Sequence, residues 1–241
     1  MRIKLIAVAT AIAALAIGVS ASNATLNSET SAKVSIKKAG APATVKLVID
    51  NTDNAVVPQR VSAVSITSKA AKWNSKAVPQ CKSKVPTNAD NDNNAGPITP
   101  ACPKGSKVGS GKFKVNTGTV GQPIPSDLGT IDGTLNIYNY KPGGGQQAAL
   151  LLEIMSDTPV PNAHQYSLAG VSKSGTIFAT VPNTADLPPS VSALLLPRTT
   201  SLAHLETTIK SPKPKGKTKP FFTLKNLKNI DFSVVLQRDN G

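Results

Sequence analysis

The chain has 241 residues and a formal net charge of +14, with 27 Lys and Arg against 13 Asp and Glu. Aromatic residues make up only 4%, while 19 Pro and 17 Gly punctuate the sequence. This composition excludes a collagen-like repeat, a disulfide-dense miniprotein and an acidic disordered chain, and leaves a globular domain with an aliphatic core.

The N-terminus reads as an export leader. Arg2 and Lys4 precede an apolar stretch from Leu5 to Val19, broken by Thr10, and Val19-Ser20-Ala21 supplies small side chains for cleavage. The apolar run covers 15 residues (5 to 19), short of the roughly 20 that span a bilayer. Cleavage is expected after Ala21, with Ala24 as the second choice. The domains are then 1–21 signal peptide, 22–32 flexible N-terminal segment and 33–241 a single β-domain. No later stretch suits a membrane span, so the expected location is secreted, extracellular or at the cell surface.

Short runs of β-formers follow, separated by turn signals. They are Thr44–Ile49, Arg60–Thr67, Lys107–Val115, Gly129–Tyr140, Ala148–Met155, Gly175–Val181, Leu202–Ile209 and Ile230–Leu236. In Gly129–Tyr140 the period is two: Ile131, Gly133, Leu135 and Ile137 point one way, Asp132, Thr134 and Asn136 the other. Only Ser190–Leu196, between Pro189 and Pro197, is compatible with a helix. The expected fold is all-β, an antiparallel β-sandwich with long loops at Pro79–Pro103 and Lys210–Pro220 and a hairpin turn at Lys141–Gln147.

The two cysteines, Cys81 and Cys102, read as one disulfide in an exported chain. It closes a loop of 22 residues, which stabilises the fold by about 3 kcal/mol on the chain-entropy estimate. A catalytic thiol would need a nearby His, and His164 and His204 are both distant in sequence. Trp73 is expected to pack beneath the disulfide loop.

Several motifs fall short of a site. Gly105-Ser-Lys-Val-Gly-Ser-Gly111-Lys112 has Ser106 and Phe113 where a phosphate-binding loop needs Gly and Ser or Thr, so a bend or bulge is the better reading. Asp90 to Gly96 has three calcium-type ligands but Ala95 and Ala101 at the positions of the required Gly and Glu. It reads as a polar loop tip. Leu196-Pro-Arg-Thr-Thr200 lacks the terminal Gly and the apolar tail of a wall-sorting signal. Glu153 interrupts an apolar run and is expected on the solvent face of an edge strand. No metal, cofactor or catalytic residue is expected.

The most suggestive segment is 210–220, where Lys210, Lys213, Lys215, Lys217 and Lys219 alternate with Pro and Gly. An extended, basic display of this kind suits an anionic cell-wall polymer or acidic polysaccharide. No specific nucleic acid is expected, and the oligomeric state stays open.

Three stretches are similar to a known group. Lys37-Lys38-Ala39-Gly40 with Thr44-Val-Lys-Leu47, Trp73-Asn74 with Val78-Pro79-Gln80-Cys81, and Cys102-Pro-Lys-Gly-Ser-Lys-Val-Gly-Ser-Gly111 resemble uncharacterised secreted proteins common in actinobacteria. The likeness is strongest over 33–115. Members typically carry further cysteines near the C-terminus, where Phe221–Gly241 has none. The resemblance implies export and a β-rich domain, and brings no activity. The reading from sequence is therefore a secreted, non-enzymatic binding or surface-associated protein. The alternatives are a structural or assembly protein of the envelope, or an extracellular hydrolase with an unrecognised site.

Overall fold

The computed structural model describes residues 13–16, 29–35, 39–50, 56–82, 84–85, 102–158, 164–181, 198–212, 219–225 and 233–238. Among these there are thirteen strands and no helix. In chain order they are β1 Ala13–Ala16, β2 Glu29–Ser35, β3 Thr44–Asp50, β4 Val61–Thr67, β5 Ala71–Trp73, β6 Lys107–Gly118, β7 Thr130–Tyr140, β8 Gln146–Thr158, β9 His164–Ser172, β10 Thr176–Thr180, β11 Thr199–Lys210, β12 Phe222–Leu224 and β13 Ser233–Arg238.

Eleven strands form one sheet, in the order β1-β2-β3-β11-β6-β7-β8-β9-β10-β4-β13, and β5 pairs with β12 in a second, two-stranded sheet. Every pairing is antiparallel. Strands β6 to β10 run as a meander, because short turns such as Pro142–Gly145 let each strand fold back on the last. Gly145 takes a φ of 79°, a conformation that glycine adopts without strain.

The large sheet is curled. β3 and β4 stand seven places apart in the strand order, yet Leu47 of β3 and Val64 and Ile66 of β4 border the same interior. The layers expected of a sandwich are thus the two arms of a half-barrel, with the small sheet closing one end. Three hydrogen bonds fasten that closure: Gly40 N to Leu224 O (2.9 Å), Ala43 N to Phe222 O (3.2 Å) and Phe222 N to Ser211 Oγ (3.0 Å). Trp73 lies against Phe221 edge-on at 5.5 Å between ring centroids and against Phe222 at 4.6 Å. Trp73, Phe221 and Phe222 thus form an aromatic cluster at this closed end.

Alternation explains the strands. β7 buries Ile131, Gly133, Leu135, Ile137 and Asn139 and leaves the residues between them more open. Gly133 has no side chain because the Phe113 ring of the neighbouring strand occupies the space a Cβ would need. In β6, Gly109 and Gly111 lie hard against the backbone carbonyls of Thr208 and Glu206 on β11. Gly109 and Gly111 thus belong to a strand with a register shift between Lys107 and Gly109, as a bulge reading requires, while Gly105, at a φ of 91°, sits in the turn before it.

Cys81 and Cys102 are joined, with Cα atoms 4.6 Å apart. The bridge ties a segment laid on the outside of the sheet. Cys81 N donates to Asn139 O (2.8 Å), Lys141 N donates to Cys81 O (3.3 Å), and Asn139 Nδ2 reaches Ser75 O at 2.8 Å.

Two expectations are corrected. Trp73 does not pack beneath the disulfide: it belongs to the small sheet and the main core, whereas Cys81 clusters with Leu151 and Tyr166. Glu153 is not on the solvent face of an edge strand. β8 lies between β7 and β9, and Glu153 is 3% exposed. The helix-compatible stretch Ser190–Leu196, the Asp90–Gly96 loop and residues 230–232 of the last expected strand lie outside the described residues. Ala13–Ala16, within the expected leader, pair as β1 with β2, so a chain cut after Ala21 would end its sheet at β2. No helix among the described residues is long and apolar enough to cross a membrane.

Candidate functional site: an apolar cavity inside the curled sheet

The inward-facing residues of eight adjacent strands enclose a cavity of about 210 Å³. β7 contributes Ile131, Leu135 and Ile137, β8 contributes Leu150, Leu152 and Ile154, and β11 contributes Leu202, Leu205 and Ile209. β6 adds Phe113 and Val115, and β10 adds Ile177 and Ala179. Phe113 is the one phenyl ring in this wall. The positions recur every second residue, as a pleated strand dictates. The curl brings them together around a common space that their side chains do not fill.

The cavity has a polar end and an apolar end. Ser156, His164, Gln165 and Thr200 border it where β8 finishes and β9 and β11 begin. Thr200 is 7% exposed, and its Oγ1 has no hydrogen-bond partner in the structure. At the other end Leu47, Ile66, Ile177, Thr207 and Ile209 are shared with a smaller recess of about 40 Å³ that reaches Trp73, Phe222 and Ser68. Thr207 directs its hydroxyl to Ser110 O at 3.4 Å, so it presents little polarity inward.

The outer face of the same strands carries a different arrangement. The buried Glu153 carboxylate accepts from Asn136 Nδ2 (2.8 Å), Tyr138 Oη (2.9 Å) and Tyr166 Oη (3.3 Å). His164 Nδ1 stands 3.9 Å from Glu153 Oε1. Burial pushes the Tyr138 phenol up to about 12, with help from its hydrogen bond to Glu153 and that carboxylate's charge. A phenol held protonated in this way is a donor and not a nucleophile. The other histidine, His204, pairs with Asp50 across β11 and β3, also on the outer face. The two histidines are therefore not brought to one place. Among the described residues no three His, Cys, Asp or Glu side chains gather as a metal site.

The basic segment is seen only at its ends. Lys210 is exposed at the end of β11, and Lys219 is exposed with its carbonyl accepting from Asn74 Nδ2 (3.0 Å). Lys213, Lys215 and Lys217 lie outside the described residues. Elsewhere the lysines of the outer face are partly offset. Lys46 meets Glu206 at 2.7 Å and Lys114 meets Asp132 at 3.6 Å. The Lys46 hydrogen bond holds the Glu206 carboxyl below its ordinary range, and Arg198 does the same for Asp127.

The cavity escaped the sequence reading. Its walls were legible as alternating strands, but alternation looks the same whether the facing layers meet or stand apart. β9, which supplies Gln165 and Ala169, was not recognised because its inward positions are polar or small. No family model matches the chain, and no curated protein or solved structure matches it.

Proposed function

We propose that this is an exported, non-enzymatic binding protein that holds an apolar ligand inside its curled sheet. The observation that carries the reading is the 210 Å³ cavity, walled mainly by Leu, Ile and Val. An apolar space of this size keeps water out and gains free energy from any hydrocarbon that enters it. His164 borders the cavity together with Ser156 and Thr200, but no hydrogen bond joins a hydroxyl there to His164 Nδ1, which favours binding over chemistry. The joined cysteines and the leader-like N-terminus support an oxidising, extracytoplasmic setting.

Binding is tested with octane vapour and the purified protein, followed by thermal melting and by mass spectrometry of an organic extract. The expected result is a higher melting temperature with octane and a co-purifying apolar compound. Ala169→Leu, which fills part of the cavity from a wall position, should weaken the octane effect while preserving the β-type circular dichroism. An unchanged melting temperature with octane in the wild-type protein would remove the proposal.

The basic segment supplies a separate part of the reading. Contact with an anionic envelope polymer through Lys210, Lys213, Lys215, Lys217 and Lys219 would hold the carrier near the cell surface. Retention on an acidic polysaccharide resin should fall steeply with salt and on neutralising these five lysines. Retention indifferent to both changes would count against it.

A further inference from the structure

The cavity reading can be sharpened to a ligand class and an orientation, and the sharper statement rests on that reading. We infer that the cavity takes a single-chain amphiphile tail-first, with a saturated chain of about eight carbons inside and an uncharged hydrogen-bonding head, an alcohol or ester oxygen, at Thr200.

Chain length follows from volume. A cavity of about 150 Å³ holds the six carbons of benzene, so 210 Å³ holds roughly eight. Chain type follows from the walls. Branched aliphatic side chains surround the space and Phe113 is the single phenyl ring among them, so no pair of phenyl faces is present to sandwich a flat ligand. A flexible alkyl chain fits such a wall.

Orientation follows from the distribution of polar groups. Ser156, His164, Gln165 and Thr200 border one end, and Thr200 Oγ1 and His164 Nδ1 are buried there without a hydrogen-bond partner. A buried hydroxyl in that state is costly, and a ligand oxygen at the same end relieves it. The opposite end also holds unpartnered polar atoms, Ser68 Oγ and Trp73 Nε1, beside the 40 Å³ recess. A head driven to that floor would have to find every bond in protein, whereas a head beside Thr200 lies at the cavity's polar end. The recess is of a size for one water-sized group and not for an alkyl tail.

The charge of the head follows from its setting. Thr200 is a neutral donor and acceptor, and His164, the one ionisable side chain that borders the cavity, already faces the Glu153 carboxylate at 3.9 Å, so a second carboxylate taken into this apolar space is strongly disfavoured. Neither Arg60, whose Nη2 donates to the backbone oxygen of Val181 at 3.0 Å, nor Arg198, which pairs with Asp127 at 2.7 Å, borders the cavity.

The experiment compares octane, octan-1-ol and octanoate by titration against the wild-type protein, Thr200→Val and Ser68→Ala. Val keeps the shape of Thr and removes the hydroxyl, and near-ultraviolet circular dichroism confirms that each variant keeps its packing. The expected result is that octan-1-ol binds about three- to tenfold more tightly than octane, the worth of one net hydrogen bond. Thr200→Val should abolish that difference without weakening octane, Ser68→Ala should leave it intact, and octanoate should bind most weakly. Equal affinity for octane and octan-1-ol, or a difference that survives Thr200→Val, would overturn the head-group assignment while the cavity reading stands. A difference removed by Ser68→Ala instead would reverse the orientation. Octanoate binding most tightly would overturn the uncharged head. Failure of both octane and octan-1-ol to bind would take the cavity reading down with the inference.

Discussion

The two faces of β8 show what different interactions make of one strand. Inward, Leu150, Leu152 and Ile154 border a space that side chains leave open. Outward, Leu151 is fully buried with Cys81 and Tyr166, and Glu153 is held by three donors. Apolar contact has no direction, so the inner wall is stable over a range of spacings and can admit a guest. A buried carboxylate works only when its donors stand at hydrogen-bond distance, so the outer face is pinned in one geometry. The disulfide lies on the pinned side. The molecule thus joins an adaptable interior to a rigid exterior through the same strands.

The strongest way to break this contrast is at Glu153. Glu153→Ala leaves Asn136, Tyr138 and Tyr166 with buried donors and no acceptor, and should cost about 3–5 kcal/mol in urea unfolding. Glu153→Gln retains one acceptor oxygen and should cost clearly less. If the alanine variant unfolds at the wild-type urea midpoint, the outer network is not what pins the sheet.

Replacing Cys81 and Cys102 together by alanine should cost about 3 kcal/mol, as expected for releasing a 22-residue loop. The loss should be seen equally with and without octane, because the bridge lies outside the cavity. Octane rescuing the variant selectively would mean that the two faces are coupled.

Truncating neighbouring leucines compares the faces directly. Leu151→Ala opens a hole in packed structure and should cost about 3–4 kcal/mol, whereas Leu152→Ala enlarges a space that already exists and should cost about 2. The inner variant should also admit a longer alkyl chain. Equal costs would remove the distinction between an open inner wall and a filled outer one.

The smallest effect concerns pH. The Tyr138 phenol is raised to about 12, so the folded state keeps a proton that the unfolded chain releases near 10. Stability from this group is complete below pH 10 and is lost as pH rises from about 10 towards 12. Urea midpoints across that window should fall, and Tyr138→Phe should flatten the fall. A wild-type profile that stays flat there would show that burial and Glu153 do not hold the proton on Tyr138 in the folded state.

Much of the fold was legible in chain order. The runs at 44–49, 60–67, 107–115, 129–140, 148–155, 175–181 and 202–209 each correspond to a strand, because alternating apolar residues between turn signals leave few other structures open. β2, β5, β9 and β12 were missed for particular reasons. β5 and β12 have three residues each, too few to show a period, and β12 becomes a strand only because Ala71–Trp73 is there to pair with it. β9 has polar or small residues at Gln165, Ser167 and Ala169, so its inner face does not read as apolar. β2, Glu29–Ser35, has only Ala32 and Val34 among polar residues, too few to show a pattern, and gains its place by pairing with β3. Glu153 was misread because a lone carboxylate in an apolar run looks solvent-facing until its donors are found on β7 and β9.

From local pattern alone came an all-β chain of antiparallel strands and the pairing of its two cysteines, since period-two alternation, turn residues and a single possible pairing leave no competing choice. Tertiary structure decided the curl of the sheet, the cavity it encloses, the closure by Trp73 and Phe222, and the burial of Glu153. These depend on strands far apart in the chain meeting at set distances. Side-chain alternation says which residues face inward, but how far apart the opposed walls stand is set by the curvature of the whole sheet.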